Sequence, residues 1–377
     1  MINNAQTTSK MGQERAAIDP VTPRATKGRG AVSNRTGRFE QYVGEAVHDG
    51  WIRDEDLQST PKIQTTLIKD TSKTIIARNT SPDVPFDRSI NPYRGCEHGC
   101  VYCFARPTHA YLGMSPGLDF ETKLFYKPEA ARLLERELRK PKYQCRTMAM
   151  GTNTDPYQPV EKTLRLTRGI LEVLSAFNHP VGIVTKSALV LRDLDILAPM
   201  AEKGLAQVCI SVTTLDHRLA NTLEPRATTP MKRLAAIRAL ADVRIPCGVM
   251  AAPVIPALND HELESILSAG RDAGATLASY ILLRLPLEIA DLFREWLENH
   301  QPNKAKHVMN LLASTRGGKV YEAEFGKRMK GTGEYAALLK KRFELISKRL
   351  GYNDRRFELD GSQFKPPLQR DGQLALF

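Results

Sequence analysis

The chain lacks the features on which secreted and membrane proteins depend. No N-terminal stretch joins a charged start to an apolar core and a small-residue cleavage site, so a secretory leader is not expected. No apolar run approaches the ~20 residues that a membrane-spanning helix needs, and no membrane partner is expected. Cysteine is scarce, six in 377 residues, too few for the dense disulfide frameworks of small secreted domains. Together these absences predict a reducing, cytoplasmic setting. Acidic residues are outnumbered, 42 against 54 Lys plus Arg, for a net charge of +12 and a pI near 9.4. That balance favours polyanionic partners such as DNA or another nucleic acid.

The few cysteines are not scattered. Cys96, Cys100 and Cys103 crowd into Arg94-Gly-Cys-Glu-His-Gly-Cys-Val-Tyr-Cys-Phe104. Three thiolates on a tight loop suit an iron–sulfur cluster. Cluster irons usually take four cysteines, and no fourth lies close by, so one iron would be open to a small molecule. A zinc site would want a closed set of four ligands, and His98 sits between the thiolates rather than at a finger-like distance. Cys145, Cys209 and Cys247 fall in or beside apolar segments and read as core thiols.

Composition divides the chain. Residues 1–60 form a basic, largely disordered N-terminal arm in which the first forty or so show no apolar periodicity. Segment 62–78 has strand-like β-branched content. From about residue 86, strand candidates at Ile90–Tyr93, Thr147–Gly151, Gly182–Thr185, Val208–Val212, Gly248–Ala252 and Ser279–Leu283 alternate with helical stretches at 128–140, 163–177, 193–203, 229–241 and 260–273. This rhythm predicts an α/β core over 61–300, a parallel sheet with outer helices in six βα units. A basic helical extension follows over 301–365, with Lys304, Lys306, Lys340 and Lys341 among its cations, and then a loose polar tail over 366–377.

In parallel α/β sheets chemistry gathers at the C-terminal ends of the strands. The second strand candidate runs into Gly151-Thr-Asn-Thr-Asp-Pro-Tyr-Gln-Pro-Val-Glu161. An Asp-Pro turn explains Asp155 and Pro156 but leaves Asn153, Thr154, Tyr157 and Gln158 without a reason. The third strand ends at Thr185-Lys-Ser187, where the Lys186 ammonium could be solvated or pair with a ligand carboxylate. Alternation along the fourth strand places Cys209, Ser211 and Thr213 on one face.

The spacing C-x3-C-x2-C, with Tyr102 before its last cysteine, resembles the signature of the radical S-adenosylmethionine (SAM) superfamily. The resemblance implies a partial (β/α)6 TIM-type barrel, a [4Fe-4S] cluster on Cys96, Cys100 and Cys103, and SAM on the open iron. There SAM would be cleaved to a 5'-deoxyadenosyl radical, with electrons from a reductant such as flavodoxin or ferredoxin. With Thr154-Asp-Pro-Tyr-Gln-Pro-Val-Glu161 and Leu223-Glu-Pro-Arg226, the cysteine loop looks like that of the spore photoproduct lyase-like, or DNA repair photolyase-like, group over roughly 85–300. That match implies SAM contacts at Tyr102, Thr154, Lys186 and Ser211. It also places Thr152 where the lyases carry a hydrogen-donor cysteine. A hydroxyl is a far poorer hydrogen-atom donor than a thiol, so no catalytic donor residue is assigned.

Gln373-Leu-Ala-Leu-Phe377 resembles the motif by which bacterial replication and repair proteins dock on the sliding clamp. Two leucines and an aromatic can fill an apolar groove while the Gln amide meets polar groups at its rim. The expectation is a radical SAM enzyme acting on nucleic acid. The alternatives are a clamp-associated iron–sulfur binding or redox-sensing protein, and a radical SAM enzyme acting on a small molecule or protein.

Overall fold

A computed structural model describes residues 25–40, 63–354 and 358–368. Residues 1–24 and 41–62, which include the rest of the expected 1–60 arm, and the clamp-like segment 373–377 lie outside the described residues. Among the described residues there are ten strands: β1 (Thr66–Lys69), β2 (Ile76–Arg78), β3 (Arg88–Ile90), β4 (Tyr93–Arg94), β5 (Lys123–Tyr126), β6 (Met148–Met150), β7 (Val181–Thr185), β8 (Ala206–Ser211), β9 (Cys247–Val254) and β10 (Leu277–Leu282). The main sheet runs β10-β9-β8-β7-β6-β3-β2. Its six strands from β3 to β10 are all parallel, each beside the next along the chain, and β2 closes one edge antiparallel to β3. This is the expected partial (β/α)6 barrel.

The pleat sorts side chains between helices and lumen. On β7, Val181, Ile183 and Thr185 are buried while Gly182 and Val184 are only half-buried, and β8 repeats the alternation with Val208 and Ile210 against Gln207 and Cys209. The outer helices supply the matching face. In Leu166–Ala176 the buried residues are Thr167, Ile170, Leu171 and Leu174, the i, i+3, i+4, i+7 stripe of a helix laid on a sheet. Helix Pro230–Asp242 begins with proline at its first position, where the missing N–H costs nothing.

Two expectations are revised. The first strand candidate, Ile90–Tyr93, is interrupted, because Pro92 has no N–H for a ladder. β3 stops at Ile90, and β4 pairs instead with β5 in a separate three-stranded sheet, β1-β5-β4. The second concerns residues 25–40, which composition assigned to a disordered arm. Residues 29–32 are buried against the cysteine loop, with the Gly30 and Ala31 amides donating to the two Glu121 oxygens at 3.0 and 2.8 Å. A Cβ on Gly30 would lie 1.7 Å from the Gly99 carbonyl oxygen, so only glycine permits this approach.

The C-terminal extension caps the barrel. Helices Pro302–Ser314 and Gly333–Arg349 lie within it. Asn353 exchanges hydrogen bonds with Ala278, and the Leu282 amide donates to Met329, covering the edge that β10 would otherwise expose. Residues 358–368 cross the opposite end: Asp360 N bonds Gly204 O, Lys365 N bonds Phe177 O, and Phe364 packs on Tyr143, Phe177 and His179. Among the described residues no helix is long and apolar enough to cross a membrane.

Candidate cofactor site

The cysteine loop leaves β4 at the C-terminal end of the main sheet and turns through Gly95 and Gly99, both at positive φ. Arg106 organises it from inside. Its fully buried guanidinium donates to the carbonyls of Cys100 (2.8 Å), Gly99 (3.2 Å), Pro116 (3.1 Å) and Gly117 (2.9 Å), and meets Glu121 at 2.5 Å. Backbone bonds from Cys96 N to Phe120 O and from Val101 N to Leu223 O fix the loop at both sides.

All three loop cysteines are unpaired, and Cys96 and Cys100 are buried. Burial pushes their thiols, and that of Cys103, above the ordinary range, and neighbouring carboxylates or thiols add to this at Cys96 and Cys100. Lys186 acts in the opposite sense on Cys100 and Cys103, joined by Arg233 at the first and Arg106 at the second. Buried sulfurs facing cations are suited to be thiolates once iron replaces the proton. Among the described residues no three Cys, His, Asp or Glu side chains converge on a point where a single metal ion would sit. A cubane cluster takes each cysteine on a separate iron, so its ligands need not converge on one point. His98 is likewise turned away from a ligand role, its Nδ1 3.4 Å from Asp155.

Beside the loop lies a buried polar cluster. The Lys186 ammonium donates to Ser211 Oγ (2.6 Å), Thr213 Oγ1 (3.1 Å) and the Ala252 carbonyl (3.0 Å), and sits 3.5 Å from Glu224. Tyr102 donates its hydroxyl to Glu224 at 2.5 Å and lies 3.1 Å from Thr213. Arg233 pairs with Glu224 at 2.7 Å, both side chains almost completely enclosed. Burial by itself would raise the Glu224 carboxyl, but the charges of Arg233 and Lys186, with hydrogen bonds from Tyr102 and Arg233, hold it down at about 2.

Three of the four residues implied as SAM contacts, Tyr102, Lys186 and Ser211, thus belong to one cluster. Thr154 stands apart, buried, with its hydroxyl donating to the Tyr93 carbonyl. The polar loop after β6 also has structural uses that its sequence did not disclose. Gln158 accepts from Glu97 N and donates to Gly95 O, clamping the cysteine loop, and Tyr157 bonds Asp193. Asp155 accepts from Thr185 and from the Lys186 amide, and its carboxyl stays below the usual range because these bonds and His98 outweigh burial. Thr152 and Asn153 are half-buried, and their side chains make no hydrogen bond among the described residues. Cys209 faces the same side of β8 as Ser211, while Cys247 is buried at the start of β9.

Sequence reasoning quoted Leu223-Glu-Pro-Arg226 only as a likeness, and missed what it does. Leu223 bonds Val101, Glu224 bonds Tyr102, and Arg226 pairs with Glu97 at 3.0 Å, so the motif grips the cysteine loop at three points. Arg233 carried no signal beyond being one helical arginine among many.

A family model described as the Radical SAM superfamily matches residues 90–269. An uncharacterized protein of Mycobacterium tuberculosis is 41% identical over 230 residues, covering 60% of this chain and 68% of the relative. An uncharacterized protein of Methanocaldococcus jannaschii is 27% identical over 227 residues, covering 60% and 81%. Among solved structures, spore photoproduct lyase complexed with dinucleoside spore photoproduct superposes with a TM-score of 0.51 at 15% identity, over 76% of this chain and 80% of that one. A mutant of that lyase with bound AdoMet and dinucleoside spore photoproduct gives 0.53 at 15%, with the same coverage. At such identity the likeness is one of fold.

Proposed function

The chain belongs to the radical SAM superfamily and is a radical SAM enzyme, and from that premise we propose that it acts on nucleic acid, with Cys96, Cys100 and Cys103 holding its [4Fe-4S] cluster. When bound, cluster and SAM supply a one-electron cleavage that yields a hydrogen-abstracting carbon radical. The observation that carries the reading is the meeting of the cysteine loop with the Lys186–Glu224–Tyr102 cluster at the C-terminal ends of parallel strands. Lys186 supplies a positive charge for a ligand carboxylate, and Ser211 and Tyr102 hold it in place. Lys186 already has three acceptors, so it meets SAM by exchanging one of them. Thr154, whose hydroxyl donates to the Tyr93 carbonyl, supports the strand that leads into the cysteine loop.

The nucleic-acid substrate is supported by the net charge of +12 and by a fold shared with a lyase that binds a dinucleoside lesion. Thr152, at the end of β6, offers a hydroxyl where a donor thiol would stand, so the product differs from that of a thiol-dependent lyase. Six unpaired cysteines suit a reducing cytoplasm. The segment Gln373–Phe377 gives the enzyme a sliding-clamp contact, a reading supported by its sequence alone.

Anaerobic reconstitution tests the centre of this proposal. The reduced wild type should release 5'-deoxyadenosine from SAM, and Cys96→Ala, Cys100→Ala or Cys103→Ala should abolish both that release and the iron–sulfur absorbance. Cys145→Ala and Cys247→Ala should keep the cluster. A chain lacking all three loop cysteines that still bound a full complement of iron would overturn the assignment.

A further inference from the structure

Past the last strand, two arginines form no ion pair among the described residues, although the charges of Asp83 and Glu322 reach Arg284 and Arg316 respectively. β10 ends at Leu282, the Leu283 amide bonds the carbonyl of Val254 at the end of β9, and Arg284 therefore stands at the same end of the barrel as the cysteine loop. Its guanidinium carbon lies 4.5 Å from the ring centroid of Phe104, the residue after Cys103. Among the described residues Arg284 makes no hydrogen bond and no ion pair. Arg316 is 3% exposed and near enough for the charge of Arg284 to act on it; it donates to the carbonyls of Leu283 and Lys327 at 2.9 Å each, while its Nε has no partner among the described residues. The nearby Asp83 is already engaged, paired with Arg328 at 2.5 Å and accepting from the Gly326 amide at 2.6 Å.

Burial disfavours the charge on both arginines. At Arg316 the positive charge of Arg284 adds to burial, and the guanidinium is brought down to about 10. A stack on a phenyl ring does not neutralise a cation. Two half-compensated guanidinium groups, one buried and one at the rim, are the arrangement that a multivalent oxyanion completes. Phe104 is still 44% exposed and leaves aromatic surface beside the charge, which suits a base next to its own phosphate better than a lone carboxylate.

We propose that Arg284 and Arg316 form a phosphate-binding site next to the cysteine loop that seats one backbone phosphate of the nucleic-acid substrate. The proposal rests on the nucleic-acid reading above. It adds a fixed point from which the reacting nucleotide is held at the barrel mouth, with Arg316 as the buried floor and Arg284 as the accessible wall.

The test uses the reconstituted protein, kept anaerobic, and a fluorescein-labelled thymidine dodecanucleotide, with affinity measured from 50 to 200 mM salt. Arg284→Gln should weaken binding about tenfold at the low-salt end and reduce the slope of log affinity against log salt by about 0.7, the share of one single-strand phosphate contact. Arg284→Lys should restore the slope. In the wild type the oligonucleotide should protect Arg284 from phenylglyoxal, a readout that does not depend on any variant folding. An unchanged slope in Arg284→Gln, equal modification of Arg284 with and without oligonucleotide, or equal competition by a polyglutamate of the same length would overturn the site. Failure of the wild type to bind the oligonucleotide while still cleaving SAM would instead remove the nucleic-acid reading on which it rests.

Discussion

Replacing Glu224 by Gln keeps the shape of the side chain and removes the one negative charge on which Arg233, Lys186 and Tyr102 converge. Glu224 is fully enclosed and meets Arg233 at 2.7 Å, Tyr102 at 2.5 Å, Thr213 at 3.2 Å and Lys186 at 3.5 Å. Removing one member of a buried ion pair costs about 3–5 kcal/mol, because the surviving charge is left unmatched. The lower end is expected here, since the Gln carbonyl still accepts one bond. The charges of Arg233 and Lys186 also hold the carboxyl below its ordinary 4.5, which links the stability of the pair to pH. Because the folded value is depressed, that stability is present above the ordinary value and lost as pH falls toward 2. Urea unfolding of the metal-free chain, followed through the buried Trp296 whose indole bonds Thr222, should therefore show Glu224→Gln less stable by about 3 kcal/mol at pH 7. The gap from wild type should close as the pH is lowered below 4.5. SAM affinity of the reconstituted variant should fall as well, since Lys186 loses the partner opposite its hydroxyl acceptors. A loss below about 1 kcal/mol together with unchanged SAM affinity would refute the idea that Glu224 organises this cluster.

Lys186→Ala should raise the SAM dissociation constant at least tenfold, the share of one charge-assisted contact, and Ser211→Ala by less, with cluster absorbance intact in both; equilibrium dialysis measures the difference. His179, buried and bonded to Tyr143 and the Pro180 carbonyl, is brought down to about 4 by burial. The unfolded chain protonates first, so stability should fall as pH drops from 6.5 toward 4, and His179→Gln should remove about 1 kcal/mol of the loss between pH 7.5 and 5.5, read by urea titrations at both pH values. Deleting Gln373–Phe377 should abolish capture by an immobilised bacterial sliding clamp while sparing cluster content and SAM cleavage, and a peptide of the same residues should compete.

What the sequence determined by itself was local. Cys96, Cys100 and Cys103 are read directly because their spacing within one loop is their chemistry, and six βα units are read because side-chain periodicity along a strand or helix needs only its neighbours in the chain. Even there Pro92 split a strand candidate whose apolar pattern ran on. Tertiary structure alone decided the rest, because the contacts join residues far apart in the chain. Glu224 reaches Tyr102 across 122 residues, Lys186 reaches Ala252 across 66, and Gly30 meets Glu121 across 91. A buried charge pair such as Glu224–Arg233 looks in the sequence like two solvated residues; it is the fold that removes the water and supplies, in each residue and its polar neighbours, a replacement for it. The same holds for residues 29–32, whose glycine and alanine read as linker until the Glu121 carboxylate and the Gly99 backbone are brought against them.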